Sequence, residues 1–264
     1  MKTVTAFFLC TAVAFSQDAA PDRVTVPFSD TARPKMLRVG LINGSITVKG
    51  YDGKDAIVEA RSEGGKHRRD RAERADGMRR IDMVGTGLTV EESENVVRVG
   101  TRSVNEAVQL TIQVPFNTSL KLSTVNGGDI VVDHIIGDVE LEDTNGKITA
   151  THISGTAVVN ALNGKVLVTL DKINGVKPMS FSSLNGDIDV TLPADMKAKV
   201  KLKTDNGAVY SDFDIQIDAS TRKPVVQESD SGKGKFRVQF DRAMYGLING
   251  GGADMSLTTF NGNI

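Results

Sequence analysis

The chain has 264 residues, 39% hydrophobic and 25% charged, with 26 glycines, no tryptophan and a net charge of −1. That composition supports a globular core, and the charge balance excludes a global field for nucleic acid or an acidic membrane. One cysteine excludes cysteine-based metal centres and an internal disulfide.

The first 16 residues read as an export signal. Lys2 is followed by the apolar run Val4 to Phe15, whose end carries the small-residue cleavage candidates Ala12-x-Ala14 and Ala14-x-Ser16. A run of about 12 residues is too short to span a bilayer. Cys10 lies inside it, so removal of residues 1–16 leaves a mature chain without a thiol. No other segment is apolar enough for a transmembrane helix. Export to the periplasm, the cell surface or the medium follows as the expectation.

A single all-β domain is expected over 24–264, with N-terminal strands and one helix over 24–115 and regular repeats over 116–264. Leu41 to Val48 and Ala56 to Ala60 alternate as strands. The charged stretch from Arg61 to Asp82 contains Ala72, Ala75 and Met78 at three-residue spacing, with Asp70–Arg74 and Asp76–Arg80 at i,i+4. A short helix is predicted near 68–80, its basic face solvated rather than nucleic-acid-binding, since acids are interspersed and no aromatic is available for stacking. Alternation resumes at Leu88–Val90, Val97–Val99 and Val108–Val114, and Pro115 closes the last of these.

From there the chain repeats itself. Asn-Gly occurs at Asn43, Asn126, Asn145, Asn163, Asn174, Asn185, Asn206, Asn249 and Asn261. The first strong residues after five of these turns, Ile130, Ile148, Val166, Ile188 and Val209, stand 18, 18, 22 and 21 residues apart. A second strand recurs within each unit, at Val139–Leu141, Ala157–Val159 and Met179–Phe181. Each unit therefore reads strand, glycine turn, strand, Asn-Gly turn. Asn126-Gly127, Asn145-Gly146, Asn163-Gly164, Asn185-Gly186, Asn206-Gly207 and Asn249-Gly250 are the expected structural corners, because Asn and Gly accept positive φ. Hairpins would also use such turns, but like patterns in like register favour a solenoid of about 20-residue rungs, resembling a single-stranded β-helix. Asp129, Lys147, Lys165 and Asp187 fall in line as a charge ladder. Ser220 to Lys235 reads as a polar loop, Phe236–Phe240 as a strand, and two further turn-strand units end the chain at Ile264.

Catalytic patterns are missing: there is no H-E-x-x-H, no G-x-S-x-G and no phosphate-binding loop. Asp129, Asp133, Asp187 and Asp189 are scattered acids without pair spacing. His134 and His152 occupy like positions before the glycine turns, with Lys172 next in line. Two ligands do not close a metal site, and the pair reads as a solvent-facing corner ladder. No catalytic residue, cofactor or metal is assigned.

The segment VQLTIQVPFNTSLKLSTVNGGDIVVDHIIGDVELEDTNGKI, with its T-x-N-G-x-I-x-V and G-x-V-x-L units, resembles the bacterial putative-adhesin domain of unknown function. The closing INGGGADMSLTTFNGNI and the charged segment between early strands are similar too, so the resemblance spans Lys35 to Ile264. That family pattern continues a few residues past its last N-G-x-I, which predicts a truncated final strand here. The resemblance implies an exported or envelope-facing β-solenoid with no established enzyme activity, and it carries no site residues. The expected function is an adhesin-like surface for an extracellular or envelope protein or glycan, with self-association through the open solenoid end. A polysaccharide lyase or hydrolase, or a periplasmic envelope-stress sensing or scaffold module, are the alternatives.

Overall fold

The computed structural model describes residues 21–30, 32–62, 86–101, 107–173, 177–218, 224–228, 236–240 and 243–264. The expected export signal over 1–16 and the expected helix near 68–80 lie outside the described residues, as does the turn at Asn174. Every regular element described is a strand.

Strand β1 (Asp22–Pro27) is followed by β2 (Lys35–Tyr51), β3 (Asp55–Ser62), β4 (Leu88–Ser93), β5 (Val96–Thr101) and β6 (Val108–Pro115). The repeats supply β7 (Thr118–Asn126), β8 (Ile130–Ile136), β9 (Val139–Asp143), β10 (Ile148–Ser154), β11 (Ala157–Ala161), β12 (Val166–Lys172), β13 (Met179–Asn185), β14 (Ile188–Thr191) and β15 (Ala198–Asn206). Then come β16 (Gln216–Ile217), β17 (Pro224–Glu228), β18 (Phe236–Phe240), β19 (Met244–Ile248) and β20 (Ala253–Asn261). Pro224–Glu228 pairs antiparallel with Phe236–Phe240, so the polar segment expected as a loop contains one arm of a hairpin. β1 is likewise a strand that the sequence pattern did not single out.

Two layers run the length of the stack. In one, the second half of β2, β8, β10, β12 and β14 pair in parallel; in the other, β7, β9, β11 and β13 do. Each chain passage adds one strand to each layer, which is the rung geometry the repeat requires. The registers align like with like. Ile46, Ile130, Ile148, Val166 and Ile188 form one inward column. Leu122, Leu141, Val159 and Phe181 form another in the opposite layer. All nine side chains are buried, and each such burial stabilises by about 1.5–3 kcal/mol. A single hydrophobic core therefore runs through the stack between the layers.

Rung order departs from chain order at both ends. β2 lies between β5 and β7 in one layer and between β6 and β8 in the other. β20 lies between β13 and β15. Hence Asn206 does not follow Asn185 in the stack, because Asn261 comes between them. Val209 does not follow Ile188 either. Ile264 intervenes, its N–H bonding Ala208 O at 3.0 Å and its carbonyl accepting from Tyr210 N at 2.7 Å. The final strand that the sequence leaves as an exposed stub is thus hydrogen-bonded on both sides. Antiparallel strands finish the ends: β3 and β1 beyond β6, β4 beside β5, and β19 then β16 beyond β15.

Candidate functional site

The Asn-Gly corners build one edge of the stack. The residue two positions before each Asn starts the column: Thr124, Asp143, Ala161, Ser183 and Thr259, all buried, and the half-buried Thr204 neighbour one another in rung order. Hydroxyls in this column bond the glycine carbonyl of the adjacent rung. Thr124 donates to Gly44 O at 3.1 Å, Ser183 to Gly164 O at 3.0 Å, Thr259 to Gly186 O at 2.9 Å and Thr204 to Gly262 O at 2.8 Å. The glycines stack so closely that a Cβ on Gly146 or Gly164 would overlap the carbonyl oxygen of the previous rung. At the first regular corner the stacking position is held by Gly128. Gly127 is an inserted residue with φ of 73° and open space around it.

The asparagines form a ladder on the surface. Asn163 Nδ2 donates to Asn145 Oδ1 at 3.0 Å, Asn185 to Asn163 at 2.8 Å, Asn261 to Asn185 at 2.7 Å, and Asn206 to Asn261 at 2.9 Å. Asn145 bonds the Val125 carbonyl instead of Asn126. Asn249-Gly250 has another task. Both residues are left-handed, and Asn249 caps the Ala194 and Met196 carbonyls as the chain crosses from β19 past β15 to β20.

The residue before each ladder asparagine points outward. In rung order these are Ile42, Val125, Thr144, Leu162, Leu184, Phe260 and Asp205. Five of them, Ile42, Val125, Leu162, Leu184 and Phe260, are large apolar side chains 43–48% exposed. At about 4.8 Å per rung, the column from Ile42 to Phe260 extends roughly 24 Å. Scattered exposed hydrophobics need no explanation, whereas this run is aligned beside an amide ladder.

At the far end of β8 and β10 lies a second cluster. Asp133 and Thr151 are register partners, and each is followed by a histidine. His134 and His152 have φ of 57° and 54°, a region few side chains other than Asn, Asp and His tolerate. Their rings stack at 4.3 Å. Both Nδ1 atoms face one carboxylate: His134 Nδ1 is 2.8 Å from Asp133 Oδ2, and His152 Nδ1 is 2.9 Å from Asp133 Oδ1. An ionised carboxylate only accepts, so both rings donate. Thr151 Oγ1 donates to Oδ1 as well, at 3.0 Å. Burial opposes ionisation of Asp133, but the bonds from His152, His134 and Thr151 and the charge of His134 outweigh it and pull the carboxyl down to about 2. The bond to Asp133 raises the His152 pKa against a smaller desolvation cost, with Asp171 adding a favourable charge. Lys172 is not next in this line. β10 has one residue more than β12 between Ala150 and Ile153 and one fewer between Ile153 and Ser154, so Lys172 pairs with Ser154.

The other acids singled out in the sequence have separate contacts. Asp129 and Asp187 each accept a backbone N–H from the next rung, from Lys147 at 2.9 Å and from Asn263 at 2.8 Å. The Asp129–Lys147 step of the expected charge ladder is therefore a carboxylate-to-backbone bond. Asp189 sits on the outer face opposite Leu167. Asp143 differs from all of these: it is 4% exposed and occupies the hydroxyl column. Its Oδ1 accepts from Asn145 N at 3.0 Å, while Oδ2 is buried without a partner. Burial pushes its carboxyl up to about 6, against the bond from Asn145 and with help from the nearby Asp129 charge. At the C-terminal end, a cavity of about 830 Å³ opens between the layers, lined by Ile188, Leu192, Leu202, Phe213, Leu257 and Ile264.

Among the described residues, no helix is long and apolar enough to cross a membrane. No curated protein matches the chain. A solved structure described as a putative cell adhesion protein from Clostridium sporogenes superposes with a TM-score of 0.51 at 11% identity, covering 92% of this chain and 97% of that one. At that identity the likeness is one of fold. The model of the family described as Toastrack DUF4097 matches residues 124–242. That span holds the regular rungs and most of the amide ladder, and over it the chain is similar to the Toastrack DUF4097 family.

Proposed function

We propose that this protein is a non-enzymatic, exported β-solenoid that presents an elongated adhesive surface to an extracellular or envelope protein or glycan. The observation that carries this reading is the exposed column Ile42, Val125, Leu162, Leu184 and Phe260, running across rungs beside the asparagine ladder. Such a surface offers apolar contact and a row of amide donors and acceptors at one fixed spacing, which suits a partner extended along the stack. The likeness of fold to the Clostridium sporogenes protein and the absence of a converging acid pair among the described residues favour binding over hydrolysis. The end cavity, lined by apolar side chains together with Lys165, Asp187, Asp189, Asp212 and Asp214, leaves room for self-association through that end as an accompanying property.

The test is a glycan array and an envelope-protein pull-down with the mature chain and with the triple variant Leu162→Ser, Leu184→Ser, Phe260→Ser. Capture that the triple variant loses supports the reading. Capture that the variant retains in full places the binding surface elsewhere, and cleavage of an acidic polysaccharide supports the lyase or hydrolase alternative.

A further inference from the structure

We propose that Asp133, His134 and His152 form a binding site for a divalent late first-row transition metal, of the zinc class, on the corner where β8 and β10 end.

Three observations of geometry support it. One ring nitrogen of each histidine and a carboxylate oxygen all lie within 4.8 Å of one another, and both Nδ1 atoms are already within 2.9 Å of that carboxylate, a set that a single cation can bridge with small side-chain movements. Two imidazoles and one carboxylate suit zinc, copper, nickel or cobalt, and suit magnesium or calcium poorly. The backbone is also committed to this arrangement. Two successive rungs hold a histidine at positive φ, and the unbroken register of β8 with β10 stacks the two rings, each with its Nδ1 on the same carboxylate.

The outer contacts fit the same role. Thr151 Oγ1 bonds Asp133 Oδ1 and fixes the carboxylate's orientation, as supporting hydrogen bonds do around metal ligands. The protons that now lie between each Nδ1 and the carboxylate occupy the place of the cation. Coordination through Nδ1 leaves a neutral ring's proton on Nε2, so that ring only changes tautomer. A protonated ring releases one proton. Three protein ligands on an exposed corner leave coordination positions open to water or to a donor from a partner. The site is independent of the apolar column, which lies at the other end of the strands.

Isothermal titration of the tag-free full chain with Zn²⁺, and with Mg²⁺ as the hard-cation comparison, tests this. One Zn²⁺ per chain is expected, with affinity falling at least tenfold in Asp133→Asn, His134→Asn and His152→Asn. Asn tolerates the left-handed backbone, so the latter two variants keep the corner. His67→Asn removes the third histidine of the sequence and should leave affinity unchanged. Long-range ¹H–¹⁵N spectra of the unaltered chain give a readout that needs no variant: Zn²⁺ should shift the Nδ1 resonances of two of the three histidines. No saturable Zn²⁺ binding, binding indifferent to all three substitutions, or equal weakening by His67→Asn overturns the proposal.

Discussion

Asn261 Nδ2 donates to Asn185 Oδ1 at 2.7 Å across 76 residues of sequence. That bond marks where the last strand enters the stack. Asn261→Ala breaks two ladder steps, those to Asn185 and from Asn206. Each amide bond at an exposed site contributes about 0.5–1.5 kcal/mol. A loss of roughly 1–2 kcal/mol is expected in urea unfolding, and faster amide exchange in β13 and β15 should accompany it.

The glycine column separates steric overlap from backbone preference. Gly164→Ala places a methyl on the Gly146 carbonyl oxygen and should force the rungs apart. A cost of about 3 kcal/mol is expected, in the range of overpacking. Gly127→Ala meets open space and suffers only its positive φ, for about 1 kcal/mol. Denaturation midpoints of the two variants should rank in that order.

Asp143 makes stability depend on pH. Its folded pKa of about 6 lies above the ordinary value of 3.8, so the folded state holds the proton more tightly. The resulting stabilisation is fully present below about pH 3.8 and is lost as pH rises through 6. A shift of about two units corresponds to roughly 3 kcal/mol. Asp133 acts in the opposite sense and in a lower window, since its support is lost only as pH falls below 3.8 toward 2. Asp143→Thr supplies the hydroxyl used at Thr124, Ser183, Thr259 and Thr204, within reach of the Gly128 carbonyl. The variant should gain roughly 2–3 kcal/mol over the parent at about pH 7.5 and little at about pH 4, measured by urea unfolding at each pH.

Much of this was legible in the sequence. Ile130, Ile148, Val166 and Ile188 align in space as their spacing predicts, because a parallel ladder stacks like on like and the period fixes the register. The rung order was not legible. Asn261-Gly262-x-Ile264 carries the same corner as Asn206-Gly207-x-Val209, so local pattern fits either strand to the slot beside Asn185. The choice is made by long-range packing. Asp133 was legible only as a scattered acid, although the pairs Asp133-His134 and Thr151-His152, 18 residues apart, were the available signal. Lys172 was misplaced because the turn motifs His152-Ile153-Ser154-Gly155 and Lys172-Ile173-Asn174-Gly175 repeat 20 residues apart, while β10 and β12 pair 18 residues apart at both ends.

The apolar column is expected to serve binding rather than folding. Leu162→Ser, Leu184→Ser and Phe260→Ser change exposed side chains, where substitutions stay within about 0.5 kcal/mol each. A thermal midpoint near the parent's, together with lost capture of partner, is the expected pair of results. A collapse in midpoint would assign those residues to the core.

The apolar run Leu162, Leu184, Phe260 is continuous only if β20 separates β13 from β15 and brings Phe260 beside Leu184. Disulfide trapping tests this most directly, in a chain with Cys10 replaced by serine. Ser182 and Thr258 are register partners on adjacent strands, and Lys203 lies one rung beyond Thr258. Adjacent rungs at about 4.8 Å meet the Cα separation a disulfide needs, and two rungs do not. Oxidation should link Ser182→Cys to Thr258→Cys and leave Ser182→Cys with Lys203→Cys unlinked. The reverse pattern would show rungs stacked in chain order and would contradict both the inserted strand and the continuous surface built on it.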